Sequence, residues 1–322
     1  MTRVAVLGAG AWGTSIASVL GARHDVTLWA RDPAQADALG RTRRNERYLP
    51  GFSVPDALKI TATFPAADLY LAATPVAGLR SVAEKAQGKA PIVWLCKGFE
   101  QGSGLLPHQI VEQTLGTNVR CGALSGPSFA QEVARGLPCA LTLAARDAAF
   151  AREAAAIVHG GRMRVYYSTD LVGVEIGGAV KNVMAIAAGI CDGLGLGHNA
   201  RAALITRGLA EIARLGATMG AQPDTIFGLT GAGDLILTAT GELSRNRRVG
   251  LQLAEGHALD SILTKLGHVA EGVYTAREVA KLATTRGVEM PVSEAVNAVL
   301  EAKLAPNSAV EQLLARDLKK EA

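Results

Sequence analysis

Lys181 is the residue of this chain hardest to explain as scaffolding. It sits in Val180-Lys181-Asn182-Val183-Met184, inside an apolar stretch from Leu171 to Cys191. Taking an ammonium out of water favours loss of its proton and brings a neutral amine within reach of neutral pH. Such an amine suits general acid–base work at an alcohol or carbonyl oxygen. Two blander readings stand beside it: a lysine whose head reaches water, or one paired with Glu175. Asp234, in Leu229-Thr230-Gly231-Ala232-Gly233-Asp234-Leu235, can orient or balance such an amine, or simply cap a helix.

Two further groups have the chemistry of a polar or anionic substrate site. Lys97 follows the apolar run Ile92–Leu95, and Gly126-Pro127-Ser128 follows a predicted strand around Cys121–Leu124. Ligands of doubly wound sheets bind beyond the carboxyl ends of strands, which is where both lie. The run Gly241-Glu242-Leu243-Ser244-Arg245-Asn246-Arg247-Arg248 then offers Ser244 as a helix N-cap, with Arg245 and Asn246 beside the helix terminus. That arrangement fits a phosphate. A solvated face or an acidic partner fits the basic run as well, and on this stretch alone a nucleic acid does too.

Gly8-Ala9-Gly10-Ala11-Trp12-Gly13 matches G-x-G-x-x-G, directly after the apolar run Val4–Leu7 and at the start of a helical stretch. In that setting Gly8 makes the tight turn, Gly10 lets the backbone approach a pyrophosphate, and Gly13 allows helix and strand to pack closely. Cofactor choice is read roughly 20 residues on, at the end of the second strand. There the chain has Trp29-Ala30-Arg31-Asp32. Arg31 can pair with a 2′-phosphate and stack on adenine, so NADP is the favoured cofactor, while Asp32 keeps NAD open.

The elements that must carry these residues come in two styles. Short apolar runs, Val4–Leu7, Val26–Trp29, Leu69–Ala73 and Ile92–Leu95, alternate with helical stretches and predict a parallel sheet covered on both faces. From about Asp170 onward helical periodicity dominates, as in Ala202–Leu215, with Arg207, Glu211 and Arg214 off the apolar face. The expected architecture is α/β: a Rossmann-like, doubly wound parallel sheet over residues 1–168, then an all-α substrate domain over 169–322. Glu175, Lys181 and Asn182 interrupt the Leu171–Cys191 stretch, so it predicts a buried helix and no membrane span.

Composition narrows the classes. The net charge of +4 over 322 residues is modest, whereas nucleic-acid binders usually carry a denser basic stripe. The 4 cysteines are scattered without a CxxC pair, which predicts reduced thiols. The 6 histidines show no HExxH spacing and no clustering with cysteine, so no metal site is expected. An apolar strand beginning almost at residue 1 leaves no room for a leader, which predicts a cytoplasmic location.

Several blocks together resemble bacterial-type NAD(P)-dependent glycerol-3-phosphate dehydrogenase. They are Gly8–Thr14, Lys97-Gly98, Ser125-Gly126-Pro127-Ser128-Phe129-Ala130, Val180-Lys181-Asn182, Asn199–Leu204, Gly231–Leu235, Leu243-Ser244-Arg245-Asn246-Arg247 and Val269-Ala270-Glu271-Gly272. The resemblance implies interconversion of dihydroxyacetone phosphate and sn-glycerol 3-phosphate, supplying glycerophospholipid synthesis. It implies Lys181 as proton donor and acceptor, supported by Asp234, with Lys97 binding and polarising the substrate. Gly126, Ser128, Ser244, Arg245 and Asn246 are implied to hold glycerol phosphate. Ala11, Trp12, Arg31, Lys97, Ala130, Arg245, Val269 and Glu271 match cofactor-contacting positions. The resemblance also points to a homodimer. Ketopantoate reductases and β-hydroxyacid dehydrogenases share the plan but need a carboxylate site, against which the Ser244–Arg248 run argues.

Overall fold

Val4 and Val6 belong to one apolar layer and Ala5 and Leu7 to another, so the first strand is buried on both faces. That is the signature of a central parallel strand, whose successive side chains alternate between two covered faces. The computed structural model describes residues 1–267 and 270–316 of the chain. They fall into two units, Met1–Glu175 and Ile176–Ala322. The division lies inside a long helix, Leu171–Gly193, and not before it. The reason is local: Leu171 and Val174, in its first turn, pack into the apolar layer that holds Trp94 and Tyr70.

The first unit is built on strands β1 (Arg3–Leu7), β2 (Asp25–Trp29), β3 (Lys59–Thr61), β4 (Leu69–Ala72), β5 (Ile92–Trp94), β6 (Cys121–Ser125), β7 (Cys139–Ala144) and β8 (Met163–Ser168). Their order is β3-β2-β1-β4-β5-β6-β7-β8. The order reverses between β1 and β4, so the Gly-rich turn after β1 sits at the topological switch point where such sheets bind ligands. It opens helix α1 (Ala11–Leu20), and the next crossover is α2 (Pro33–Thr42).

The sheet departs from the expected all-parallel form at one place. β6 pairs with β7 antiparallel, whereas β7 and β8 are parallel to each other. Between β6 and β7 the chain forms only a five-residue helix, Ala130–Ala134, and turns back without a full crossover. A complete helix, Ala148–Val158, connects β7 to β8 and restores the parallel relation. The apolar runs of the sequence mark β1, β2, β4, β5 and β6 and leave β3, β7 and β8 unmarked.

The second unit is helical, as its periodicity predicts. The helix Leu171–Gly193 is long and apolar enough to cross a membrane, with a mean hydropathy of 1.5 over its best window, but 94% of that window is buried in the protein. It is a core helix, and its glycines decide how neighbours reach it. A Cβ on Gly250, in the helix Arg245–Ala254, would lie 2.7 Å from Ile190 N and 2.9 Å from Gly189 C. One on Gly177 would lie 3.1 Å from Gly231 Cα and from the Thr230 carbonyl oxygen. Glu211, off the apolar face of its helix, is nevertheless 1% exposed. Its carboxylate accepts from Val292 N at 2.6 Å and from Ser293 N and Oγ at 3.1 and 2.9 Å, capping the helix Pro291–Leu300. Burial pushes the Glu211 carboxyl up, and these three bonds oppose the shift.

In an ordinary helix Gly→Ala stabilises by roughly 1 kcal/mol. Gly250→Ala is expected to do the reverse, because the new methyl meets main-chain atoms that cannot rotate away. A loss of about 1–3 kcal/mol is the usual cost of such overpacking, and the urea unfolding midpoint measures it. An unchanged or raised midpoint contradicts the close approach.

Candidate active site

In the first unit each glycine of the Gly-rich turn has a distinct steric reason. Gly8 has φ +122°, and a Cβ there would lie 2.8 Å from the Ala73 carbonyl oxygen. A methyl on Gly13 would overlap the Gly8 carbonyl oxygen. Gly10 is different, with nothing within 4 Å of its Cβ position. Its smallness is unused by the protein itself, as a backbone that must admit a ligand requires. Ala11 and Trp12 begin α1, whose N-terminus has no side-chain cap, so its N–H groups suit an anion.

At the end of β2, Arg31 and Asp32 are both exposed. Asp32 Oδ1 accepts from Ala34 N at 2.9 Å and caps α2. The Ala130 carbonyl oxygen accepts from Ser15 Oγ at 2.8 Å, which ties that expected cofactor-contacting position to α1.

Lys97, Gly126 and Ser128 do meet. Lys97 Nζ donates to the Gly126 carbonyl oxygen at 3.1 Å, and Ser128 Oγ donates to the same oxygen at 3.0 Å. Gly126 has φ +135°, with Leu141 Cα 3.1 Å from its Cβ position, so only glycine turns the chain there. Beside them is a small cavity lined by Lys97, Ser125 and Glu175 among others. Ser125 Oγ is buried in it without a hydrogen-bond partner. The Glu175 carboxylate accepts from His108 N at 2.9 Å and pairs with His108 Nδ1. Burial pushes the Glu175 carboxyl up, against the opposing pull of His108. Burial, with Glu112 and Glu175 nearby, likewise pushes the Cys121 thiol up to about 12, far from a thiolate nucleophile at neutral pH.

In the second unit Lys181 takes neither of the two blander readings. Its side chain is 8% exposed, and Nζ donates to Asp234 Oδ1 at 2.9 Å and to Thr238 Oγ1 at 2.7 Å. Asp234 is thus brought to Lys181 as expected, while Glu175 is taken by His108. Thr238 was not anticipated. It lies one turn after Asp234 on the helix Asp234–Thr240, and its hydroxyl also bonds the Asp234 carbonyl oxygen at 2.6 Å. The i, i+4 spacing from a suspected carboxylate was the available signal. A π-helical turn, Leu229–Gly233, precedes Asp234.

The basic run separates into two roles. Ser244 Oγ accepts from Arg247 N at 3.2 Å and is the N-cap expected of it. Arg245 is exposed. Arg247 turns inward instead, and its Nε and Nη2 lie 2.8 and 2.6 Å from Asp192 Oδ2. Arg201 Nη1 holds the same carboxylate at 3.0 Å. Asn246 is 8% exposed, accepts from Gly272 N at 3.1 Å and donates to Asn182 Oδ1 at 2.8 Å. It therefore joins the expected substrate segment to the start of the helix Glu271–Arg286, where Glu271 stands. Val269, another expected cofactor contact, lies outside the described residues. Among the described residues no group of three His, Cys, Asp or Glu side chains is placed to hold a metal ion.

Comparison with known proteins covers almost the whole chain. The profile of the NAD-dependent glycerol-3-phosphate dehydrogenase N-terminus matches residues 3–151, and that of the C-terminus residues 170–311. The glycerol-3-phosphate dehydrogenase [NAD(P)+] of Dechloromonas aromatica is 58% identical over 326 aligned positions, spanning 99% of both chains. That of Aromatoleum aromaticum is 59% identical over 99% of this chain and 100% of its own. The crystal structure of glycerol-3-phosphate dehydrogenase from Coxiella burnetii superimposes with a TM-score of 0.93 at 40% identity, covering 98% of this chain and 99% of that one.

Two outcomes follow from the buried pairs. Asp234→Ala strands an ammonium in the interior and is expected to cost about 3–5 kcal/mol of stability, while Lys181→Met with Asp234→Leu recovers most of it. Denaturant unfolding of both variants checks this, and equal losses would contradict a buried ion pair. For Glu175 the fold raises the carboxyl, so its contribution to stability is full below the unfolded value of about 4.3 and declines as pH rises through the folded one. His108→Ala removes the main opposing partner. Its melting temperature should fall further below that of the parent at pH 8 than at pH 4, and parallel curves would refute the coupling.

Proposed function

The chain belongs to the NAD-dependent glycerol-3-phosphate dehydrogenase family, and from that premise we propose a role for each residue in its reaction. The reaction is reversible hydride transfer between NAD(P)H and dihydroxyacetone phosphate, giving sn-glycerol 3-phosphate for glycerophospholipid synthesis. The observation that carries the residue assignment is Lys181, a buried lysine held by Asp234 at 2.9 Å and Thr238 at 2.7 Å.

A bound nicotinamide supplies the hydride to the ketone carbon. Lys181, as an ammonium, gives a proton to the oxygen on which negative charge develops, and takes it back in the reverse direction. The Asp234 carboxylate and the Thr238 hydroxyl both accept from Nζ and fix its position and direction. Lys97, anchored to the Gly126 carbonyl oxygen, adds positive charge where substrate binds. Arg245 holds the phosphate at the helix terminus capped by Ser244, with Asn246 beside it. Binding energy remote from the carbonyl then fixes the geometry of transfer.

Gly8, Gly10 and Gly13 with the start of α1 receive the pyrophosphate, and Arg31 receives the adenosine 2′-phosphate, which makes NADP the preferred cofactor. The unit from Met1 carries the cofactor, and the helical unit carries the proton donor and phosphate site. A homodimer, which the family resemblance suggests, and a cytoplasmic location, which the scattered cysteines without a CxxC pair suggest, complete this reading.

Loss of reduced-nicotinamide absorbance with dihydroxyacetone phosphate, and none with dihydroxyacetone, is the expected result for the purified protein. Lys181→Ala should lower kcat by about 10²–10⁴, the usual worth of a general acid. Arg245→Ala should raise the KM for the phosphate ester at least ten-fold, about 1.4 kcal/mol. Arg31→Ala should weaken NADPH more than NADH. Near-normal turnover by Lys181→Ala overturns the proton-donor role, an unchanged KM in Arg245→Ala overturns the phosphate site, and a native preference for NADH overturns the role of Arg31.

A further inference from the structure

The peptide between Ala9 and Gly10 is held in a way that the Gly-rich motif does not require. Gln35 Nε2, on α2, donates to the Ala9 carbonyl oxygen at 2.8 Å. Asn45 Nδ2, in the segment after α2, donates to the same oxygen at 3.0 Å and to Thr14 Oγ1 at 2.7 Å. Asn45 is 5% exposed although it lies in a strongly basic stretch, Arg41-Thr42-Arg43-Arg44-Asn45-Glu46-Arg47. Burying an amide is costly unless it is hydrogen-bonded, and Asn45 meets that cost by committing Nδ2 to the Ala9 and Thr14 oxygens.

The physical consequence follows from peptide geometry. A planar trans peptide points its C=O and its N–H to opposite sides, and no cis peptide occurs among the described residues. Holding the Ala9 oxygen toward Gln35 and Asn45 therefore aims the Gly10 N–H away from them. Glycines on both sides of Ala9 make this peptide unusually easy to flip, because glycine accepts conformations closed to other residues. A flipped peptide would turn a carbonyl oxygen, with its partial negative charge, toward the side on which the N–H is now presented.

We propose that Asn45 and Gln35 are positioning residues for the dinucleotide, locking the Ala9–Gly10 peptide so that an N–H and not a carbonyl oxygen meets the cofactor's diphosphate. The inference rests on the reading of the Gly-rich turn as the diphosphate site. It also explains how one face of the turn is rigid while the other is empty: nothing lies within 4 Å of the Gly10 Cβ position. Gln35 sits in the first turn of α2, directly after Arg31 and Asp32, so the element that begins at the adenosine end of the site also fixes the diphosphate end. Asn45 does the same from the far end of α2 and reaches Thr14 in α1 as well.

The test compares ligands with and without a diphosphate. Calorimetry measures Kd for NADPH and for adenosine 2′-monophosphate in the parent, Asn45→Asp, Asn45→Leu, Gln35→Ala and Gly10→Val proteins. Asn45→Asp keeps the shape but replaces a donor by an acceptor facing the Ala9 oxygen. It is expected to raise the Kd of NADPH roughly ten-fold or more, as loss of a buried hydrogen bond would. Asn45→Leu should do less, and Gln35→Ala, on a half-exposed position that does not threaten folding, about three-fold. Adenosine 2′-monophosphate should bind all three within about two-fold of the parent, and the KM for dihydroxyacetone phosphate should barely move. Equal weakening of both ligands, or unchanged NADPH binding in Asn45→Asp and Gln35→Ala, overturns the proposal. Gly10→Val separates the two levels: if it leaves NADPH binding intact, the diphosphate does not lie at this turn and the premise itself fails. If it abolishes binding while the amide variants bind normally, only the positioning role fails.

Discussion

Everything in the helical unit depends on how closely other main chains can approach the helix Leu171–Gly193. Side chains normally hold helix axes about 8–10 Å apart, and a glycine at the contact removes the side chain that keeps the two main chains from touching. Here the contact faces are glycine. Gly189 and Gly250 meet with main-chain atoms between them, Gly177 meets Gly231, and Gly193 lies against Ala254 and Leu251. At those distances Asn182 can reach Asn246 at 2.8 Å, and Lys181 can reach a carboxylate and a hydroxyl on a neighbouring helix. The polar constellation thus sits among main chains that glycine contacts bring close together.

Within that frame, charges are sorted by depth. Asp192 is shared by Arg201 and Arg247, so one arginine of the Ser244–Arg248 run is structural, while Arg245 remains on the surface. Glu211 and Glu175 show the same economy with carboxylates: each is buried, and each is satisfied by donors at the start of a helix. None of these groups can be assigned by residue type alone. Their roles follow from which face of which helix they occupy, and that is a property of packing.

This sets what could be read in the sequence. Lys181 was legible because a lysine in an apolar helix contradicts its surroundings, and the G-x-G-x-x-G turn was legible because its context is local. The strands with uninterrupted apolar runs were legible for the same reason, whereas β7 and β8 were not marked, and the reversal at β6 depends on a return path that no residue announces. For Glu211 the sequence showed only that it stands off the apolar stripe. Its actual partner, the first turn of the helix Pro291–Leu300, is distant in sequence. Thr238 offered only its i, i+4 spacing from Asp234, and the bonds of Asn45 and Gln35 to the Ala9 carbonyl oxygen exist only once the chain is folded around them.

The π-helical turn at Leu229–Gly233 has a consequence for how this segment can change over evolutionary time. A π turn closes its hydrogen bonds one residue wider than an α-helix, so the loss of one residue there can be taken up by tightening the turn to α geometry. Asp234 and Thr238 would then keep their common side, since they travel on the same helix. Substitution is the harder change: a Cβ on Gly231 would overlap the Ile226 carbonyl oxygen, a main-chain atom that cannot rotate away. At Gly231 the stretch is held to its letter more firmly than to its length.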